Sequence, residues 1–434
     1  MGVRRYPLTR GQRWVLATAG HPTLGRPVQR VLRLRGALDT RALLRAVRAV
    51  VHANESLRLQ LLRGKEARAQ RFPDFVPEIR GLSFMGREPA AERYKAAVDM
   101  LSLRGLAPFD LRTEPPFVAE VARLALDHHL LALTVDHAAA DELGLNLAIQ
   151  QIERAYRAFQ AGGDGASAGL PPPGRFAEHL LQLEVKPEAE APHLAYWLEQ
   201  LLGTPAPPPP LARARRRGSD EEDDWVRGVR HVHHAPPALL EQARQARWSP
   251  FMALAAAQVL LLARLRDIRE MVVNIPFSNR ASAVERELVA NLSVLCHLRF
   301  RVDPAESVAD LRMRVRQQVL EAMSHRDYDY QTLMARLPGG HRDSWSLGCN
   351  YVHEPEGGLE WFEPVDLNAG VVPAVPEGCF VLTVRHRQEL QIEALFDPAV
   401  WPLRGPEFVR RLHALLRALH DPEGRQKVGE LLRA

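Results

Sequence analysis

Leu130-Leu-Ala-Leu-Thr-Val135 is a short, mostly apolar run that ends abruptly at charge: Asp136-His137-Ala-Ala-Ala-Asp141-Glu142 follows without a gap. Six such residues read as a buried strand. A helical pattern begins near Leu143. A strand that delivers a histidine and carboxylates into a loop otherwise made of alanine leaves room for a substrate beside ionisable groups. The spacing alone has little weight. With 17 histidines, a His followed four residues later by Asp is expected about once by chance. It occurs twice, at His137/Asp141 and at His325/Asp329, so the surroundings must carry the argument.

The chain has 434 residues, enough for two domains of ordinary size, and is 46% hydrophobic and 25% charged. These proportions are those of a globular protein. The longest apolar runs, such as 251–263, are too short or too interrupted to cross a bilayer. The start, Met1-Gly-Val-Arg-Arg-Tyr-Pro7, lacks the apolar core of a secretory signal. Cys296, Cys349 and Cys379 are widely spaced and form no Cys-x-x-Cys, which points to a reducing cytoplasm and away from a zinc site or disulfide framework. The net charge of +5 comes mainly from arginines on helical patterns, and the dense block 213–217 is offset by acidic 220–224. Solvated helix faces and an acidic protein partner are therefore expected, and no nucleic acid.

In chain order, Thr9 and Gln12 form a capping box at a helix start. Val28–Leu34 alternates as a strand, Thr40–His52 is an amphipathic helix, Ser56–Leu62 a strand and Glu92–Leu103 a helix. Val118–Leu126 and Leu130–Val135 form a hairpin, with Asp127-His128-His129 as its solvated turn. Leu143–Phe159 is a helix, and glycine and proline mark 161–174 as a linker. Beyond it come helices 176–184 and 193–202, and a charged, proline-rich loop 205–224. Val226–His233 is a strand whose neighbouring His231, His233 and His234 lack a Cys or carboxylate partner, so no metal site is assigned. Helices 236–247 and 250–265 and strands 270–275 and 292–302 follow, then helices 307–324 and 328–337. Strand 347–353, hairpin 380–384/390–396 and helix 406–420 complete the order. Gly-x-Gly-x-x-Gly, the P-loop and Gly-x-Ser-x-Gly are all absent. The pattern is α+β, in two roughly equal halves, 1–174 and 175–434.

An ordered series of motifs resembles the condensation domain of nonribosomal peptide synthetases, within the chloramphenicol-acetyltransferase-like acyltransferases. The family's His-His-x-x-x-Asp-Gly stands here as Asp136-His137-Ala-Ala-Ala-Asp141-Glu142. Pro7-Leu-Thr9 with Gln12 is similar to the opening motif, and His52-Ala-Asn-Glu-Ser-Leu-Arg58 to the Arg-His-x-x-Leu-Arg region. Pro108-Phe-Asp110 with Pro116-Phe117 resembles the segment before the hairpin, and Tyr196-Trp197 with Leu201 and Gly203 the Tyr-Trp-x-x-x-Leu-x-Gly helix. Pro276, Ser278 and Arg280 resemble Pro-x-Ser-Gly-Arg, 326–330 the Gln-Asp-x-Pro-Phe segment, and 395–397 the closing motif. Two positions and one motif depart: Asp136 for the first His, Glu142 for the Gly, and a reduced Gly-x-Phe-x-Asn-x-Leu-Pro-Leu-Arg kept only as Ala290, Val294 and Leu298-Arg299.

The resemblance implies two chloramphenicol-acetyltransferase-like lobes in a V-shaped pseudo-dimer, with the active site in the tunnel between them. It implies an amide- or ester-forming acyltransferase of natural-product biosynthesis, free-standing, with acyl or peptidyl carrier proteins supplied in trans. It implies no bound cofactor or metal, because substrates arrive on phosphopantetheine arms. His137 is the expected catalytic residue, positioning or deprotonating the acceptor, and Asp141 a structural residue paired with Arg280. Asp136 is expected to raise the pKa of His137 or to face solvent, and Glu142 to occupy space that glycine leaves bare. The alternative implied by the altered motif is a degenerate domain that docks a carrier protein or a tailoring enzyme, as oxygenase-recruiting relatives do. A coenzyme A-dependent acyltransferase is the third reading.

Overall fold

The computed structural model describes residues 5–18, 26–62, 68–71, 75–164, 168–183, 187–205, 225–239, 248–338, 346–353, 361–365, 374–386, 389–420 and 423–433. The chain divides into two compact units. The first comprises 1–185 with 278–293 and 357–371, and the second comprises 186–277, 294–356 and 372–434. A single break at 174 is thus too simple a description, since two later segments return to the first unit.

The first unit is built on a five-stranded sheet in the order Phe362–Pro364, Val28–Arg35, His128–Val135, Phe117–Arg123, Ile79–Ser83. Its pairs are antiparallel except the last, which is parallel. The motif strand His128–Val135 is central, and its unbroken apolar run follows from having both faces covered. Leu131, Leu133 and Val135 pack under helices Thr40–Ala53 and Glu142–Gln160, against Leu43, Val47, Leu145 and Ile149. Leu130 and Ala132 face the other way, onto Ala97, Val98 and Leu101 of helix Ala90–Arg104.

The expected turn at Asp127-His128-His129 is displaced. His128 already belongs to the strand, and His129 pairs with Leu34 and Arg123 inside the ladder. His129 is therefore buried rather than solvated, and burial, then Arg123, lower its pKa. Ser56–Leu62 is likewise not one strand: a 3-10 turn, Glu55–Arg58, precedes strand Leu59–Leu62. The cause is Arg58, whose buried guanidinium caps the preceding helix through the carbonyls of Val51 (2.9 Å) and His52 (2.8 Å) and folds the chain back.

The second unit carries a six-stranded sheet in the order Ser293–Arg301, Glu270–Ser278, Leu347–His353, Phe380–His386, Leu390–Phe396, Val229–Ala235. Helix Pro250–Arg266 is apolar all round and buried along most of its length, as such a helix must be. Ser249 caps its start and Asp267, at φ 51°, its end. The expected strand 226–233 is two strands, Trp225–Arg227 and Val229–Ala235, which pair with different partners. His231 leans on Phe396 and His233 on His413. Among the described residues, no cluster of three His, Cys, Asp or Glu side chains is placed to hold a metal ion. No described helix is long and apolar enough to cross a membrane. The charged block 213–224 and most of the expected helix 236–247 lie outside the described residues.

Candidate active site

The loop after the motif strand is fixed by its own polar residues. Asp136 is buried, and its Oδ1 accepts a hydrogen bond from the Ala138 amide at 2.8 Å, while its carbonyl accepts from Ala139. This two-residue carboxylate turn replaces the expectation that Asp136 faces solvent.

Asp141 starts the next helix as its N-cap, accepting from the Gly144 amide at 2.8 Å. The same carboxylate accepts from both Arg280 Nη atoms (3.0 and 3.3 Å), the Leu292 amide (3.1 Å) and Ser293 Oγ (2.9 Å). Arg280 also donates to the carbonyls of Leu288 and Ala290. Both side chains are about 95% buried, at 5% and 4% exposure. A buried ion pair survives only when its spare donors and acceptors are satisfied, and here the surplus bonds stitch segment 280–293 onto the loop. Gly144 allows this approach: a Cβ there would lie 2.6 Å from the Ala290 carbonyl oxygen.

Glu142 occupies the first helical position, and its carboxylate pairs with Arg30 of the neighbouring strand. Its side chain is thus held by a cation and does not hang free in the loop.

His137 stands between these anchors. Asn291, fully buried, donates from Nδ2 to the His137 carbonyl at 2.7 Å. The imidazole meets the Trp14 indole edge to face, with centroids 5.4 Å apart and planes at 78°. Among the described residues neither ring nitrogen of His137 has a hydrogen-bond partner. Burial lowers its pKa, and Asp141, then Glu142, oppose that shift. The ring is therefore neutral at neutral pH, with one nitrogen able to accept a proton.

The structure brings together His137, Asp141 and Arg280, with Asp136 and Glu142 at the ends of the same loop. Asn291, Trp14 and Arg30 complete the site and were not singled out from sequence. Asn291 was legible: setting the reduced motif's Asn on Asn291 places its final Leu and Arg at Leu295 and Cys296, whereas matching through Ala290 passes it by. Trp14 and Arg30 carried no local signal.

A buried strand that ends in His-x-x-x-Asp, with the Asp locked to a distant Arg, agrees with the motif series that resembles the chloramphenicol-acetyltransferase-like acyltransferases. The family described as the condensation domain matches residues 3–346, and the chain belongs to that family. Phosphinothricin tripeptide synthetase PhsC of Streptomyces viridochromogenes is 29% identical over 323 residues, 71% of this chain. The chain spans 29% of that relative's length. A variant of the starter condensation domain of rhizomide synthetase RzmA, in complex with C8-CoA, shares the fold at a TM-score of 0.74 and 18% identity, over 98% of this chain and 96% of that one. So does the X-domain from teicoplanin biosynthesis in its complex with OxyB, at a TM-score of 0.72 and 20% identity, over 99% and 96%.

Proposed function

We propose that the chain is an active condensation-type acyltransferase. It joins an acyl or peptidyl thioester, presented on the phosphopantetheine arm of a carrier protein, to an amine or hydroxyl acceptor. His137 Nε2 or Nδ1 accepts the acceptor's proton as its nitrogen or oxygen attacks the thioester carbonyl. The C–S bond of the tetrahedral adduct then breaks, the new amide or ester remains, and the proton passes to the leaving thiolate. Atoms and charge balance without metal, redox partner or cofactor of the chain's own. Asp141 and Arg280 act structurally, holding the loop so that the imidazole stays in place.

One observation carries this reading: a neutral, partly accessible imidazole is anchored through its carbonyl by Asn291, and its ring nitrogens have no partner among the described residues. A general base needs an unoccupied nitrogen in reach of the nucleophile and a pKa below working pH, and such a group contributes about 10²–10⁴ in rate.

The second reading, a domain that docks a carrier protein or tailoring enzyme without catalysis, is favoured by Asp136 and Glu142 at altered motif positions. The X-domain seen with OxyB shares this fold. Incubation with an acyl-loaded donor carrier and an amine-loaded acceptor carrier, read by intact-protein mass spectrometry, separates the two. Mass gain on the acceptor arm supports the transferase. Carrier or oxygenase binding without transfer supports docking, and transfer from acyl-coenzyme A alone makes the donor a free thioester.

A further inference from the structure

We propose that Trp14 is a positioning residue for His137: its indole forms the wall that sets the plane of the imidazole and keeps water from that side of the ring. The proposal rests on the transferase reading above and deepens it.

A chain of contacts ties the helix that carries Trp14 to His137. Helix Arg10–Ala17 is fixed at its start by the reciprocal Thr9/Gln12 capping box, with both bonds at 3.0 Å. Thr9 Oγ1 then donates to the Asn291 carbonyl at 2.8 Å. Gly11 sits so close to the same residue that a Cβ would lie 2.3 Å from Asn291 Oδ1. The helix is thereby seated on the residue that binds the His137 backbone, and Trp14, one turn further along, meets the His137 ring. One element thus controls the backbone of His137 through Asn291 and its ring through Trp14. Trp14 is 5% exposed, and its Nε1–H has no acceptor among the described residues. A buried donor without a partner is a cost that natural sites seldom keep, so the indole's shape against the imidazole, rather than a hydrogen bond, is what the position provides. The charged groups facing His137 are Asp141 and Glu142, held by Arg280 and Arg30 respectively. The indole adds no charge and acts through desolvation and orientation.

The test uses the full chain with isotope-labelled histidine. The His137 ring is titrated by NMR in wild type, Trp14→Phe and Trp14→Leu, and kcat and KM are measured against pH. Trp14→Leu is expected to admit water, so that His137 titrates at higher pH than in wild type and the acid limb of kcat moves up in parallel. It is also expected to lose about tenfold in kcat with KM within about twofold. Trp14→Phe keeps the ring and discards the unpartnered N–H, and is expected to titrate as wild type does. An unchanged His137 titration in Trp14→Leu, with activity lost only in proportion to folded protein, would overturn the proposal. If Trp14→Leu does not fold, wild type decides: the proposal requires indole-to-imidazole NOEs and a ring-current shift at His137, and their absence overturns it. The titration needs no turnover, so a chain without transferase activity would sink the reading of the previous subsection while this contact is still judged alone.

Discussion

Two histidines, one in each unit, contrast a buried imidazole with both ring nitrogens hydrogen-bonded and one whose ring nitrogens have no partner among the described residues. His297, in the second unit, is 1% exposed, and burial pushes its pKa down to about 3. Both its ring nitrogens are occupied, Nδ1 with Asn274 Oδ1 and Nε2 with Tyr328 Oη, each at 2.8 Å. The Tyr328 hydroxyl oxygen also lies 2.5 Å from the Leu295 carbonyl oxygen. His137, in the first unit, is also neutralised by burial, but its anchor is its own carbonyl and its ring nitrogens have no partner among the described residues. Burial sets the protonation state in both. The hydrogen bonds separate them: both ring nitrogens of His297 are engaged, and among the described residues neither of those of His137 is.

The largest expected effect tests the frame around His137. Arg280→Leu leaves Asp141 buried without its cation, and is expected to cost about 3–5 kcal/mol in denaturant unfolding of the chain. A loss below about 1 kcal/mol would mean that the pair does not hold the loop. Next, His297→Leu strands the Asn274 and Tyr328 partners and is expected to cost about 1–3 kcal/mol, while activity per folded molecule stays at the wild-type level. Loss of turnover in the folded variant would erase the contrast between the two histidines.

The same histidine predicts a pH dependence. Its folded pKa lies below the unfolded value of 6.5, so the unfolded chain binds more protons between pH 6.5 and about 3. The stability that neutral His297 contributes is present above pH 6.5 and is lost as pH falls through that window. His297→Leu is expected to flatten the acid side of the stability profile there, and an equally steep profile would contradict the assignment. The smallest effect is at an exposed pair: Lys95→Ala breaks the i,i+4 bridge to Asp99 and is expected to change stability by less than about 0.5 kcal/mol. A larger change there would show that surface charge rivals the buried networks.

Much of the first unit was legible in the sequence because its signals are local. The Thr9/Gln12 box, the motif strand and the helix beginning at Glu142 follow from capping chemistry and from a short apolar run with both faces covered. His128 and His129 look like a turn in sequence because they are a polar pair, and only the ladder partners Leu34 and Arg123 show that His129 lies inside the sheet. Within the site, His137, Asp141 and Arg280 came from an ordered motif series. Trp14 meets His137 across about 120 residues of chain, and periodicity does not report such a tertiary contact, whereas Asn291, about 150 residues away, was within reach of the motif register. That Asp136 is buried rather than solvent-facing was hidden for the reverse reason: its carboxylate caps the amide two residues on, a local turn that the motif comparison does not report.

The most direct test is a single-turnover assay of wild type and His137→Ala with loaded donor and acceptor carriers, alongside thermal unfolding of both proteins. Asn291 binds the His137 main chain, so the variant keeps its anchor and is expected to unfold close to wild type. The account predicts product from wild type and a loss of about 10²-fold or more in the variant. Equal product from both would show that proton transfer does not run through His137 and that the loop after the motif strand is not the active site.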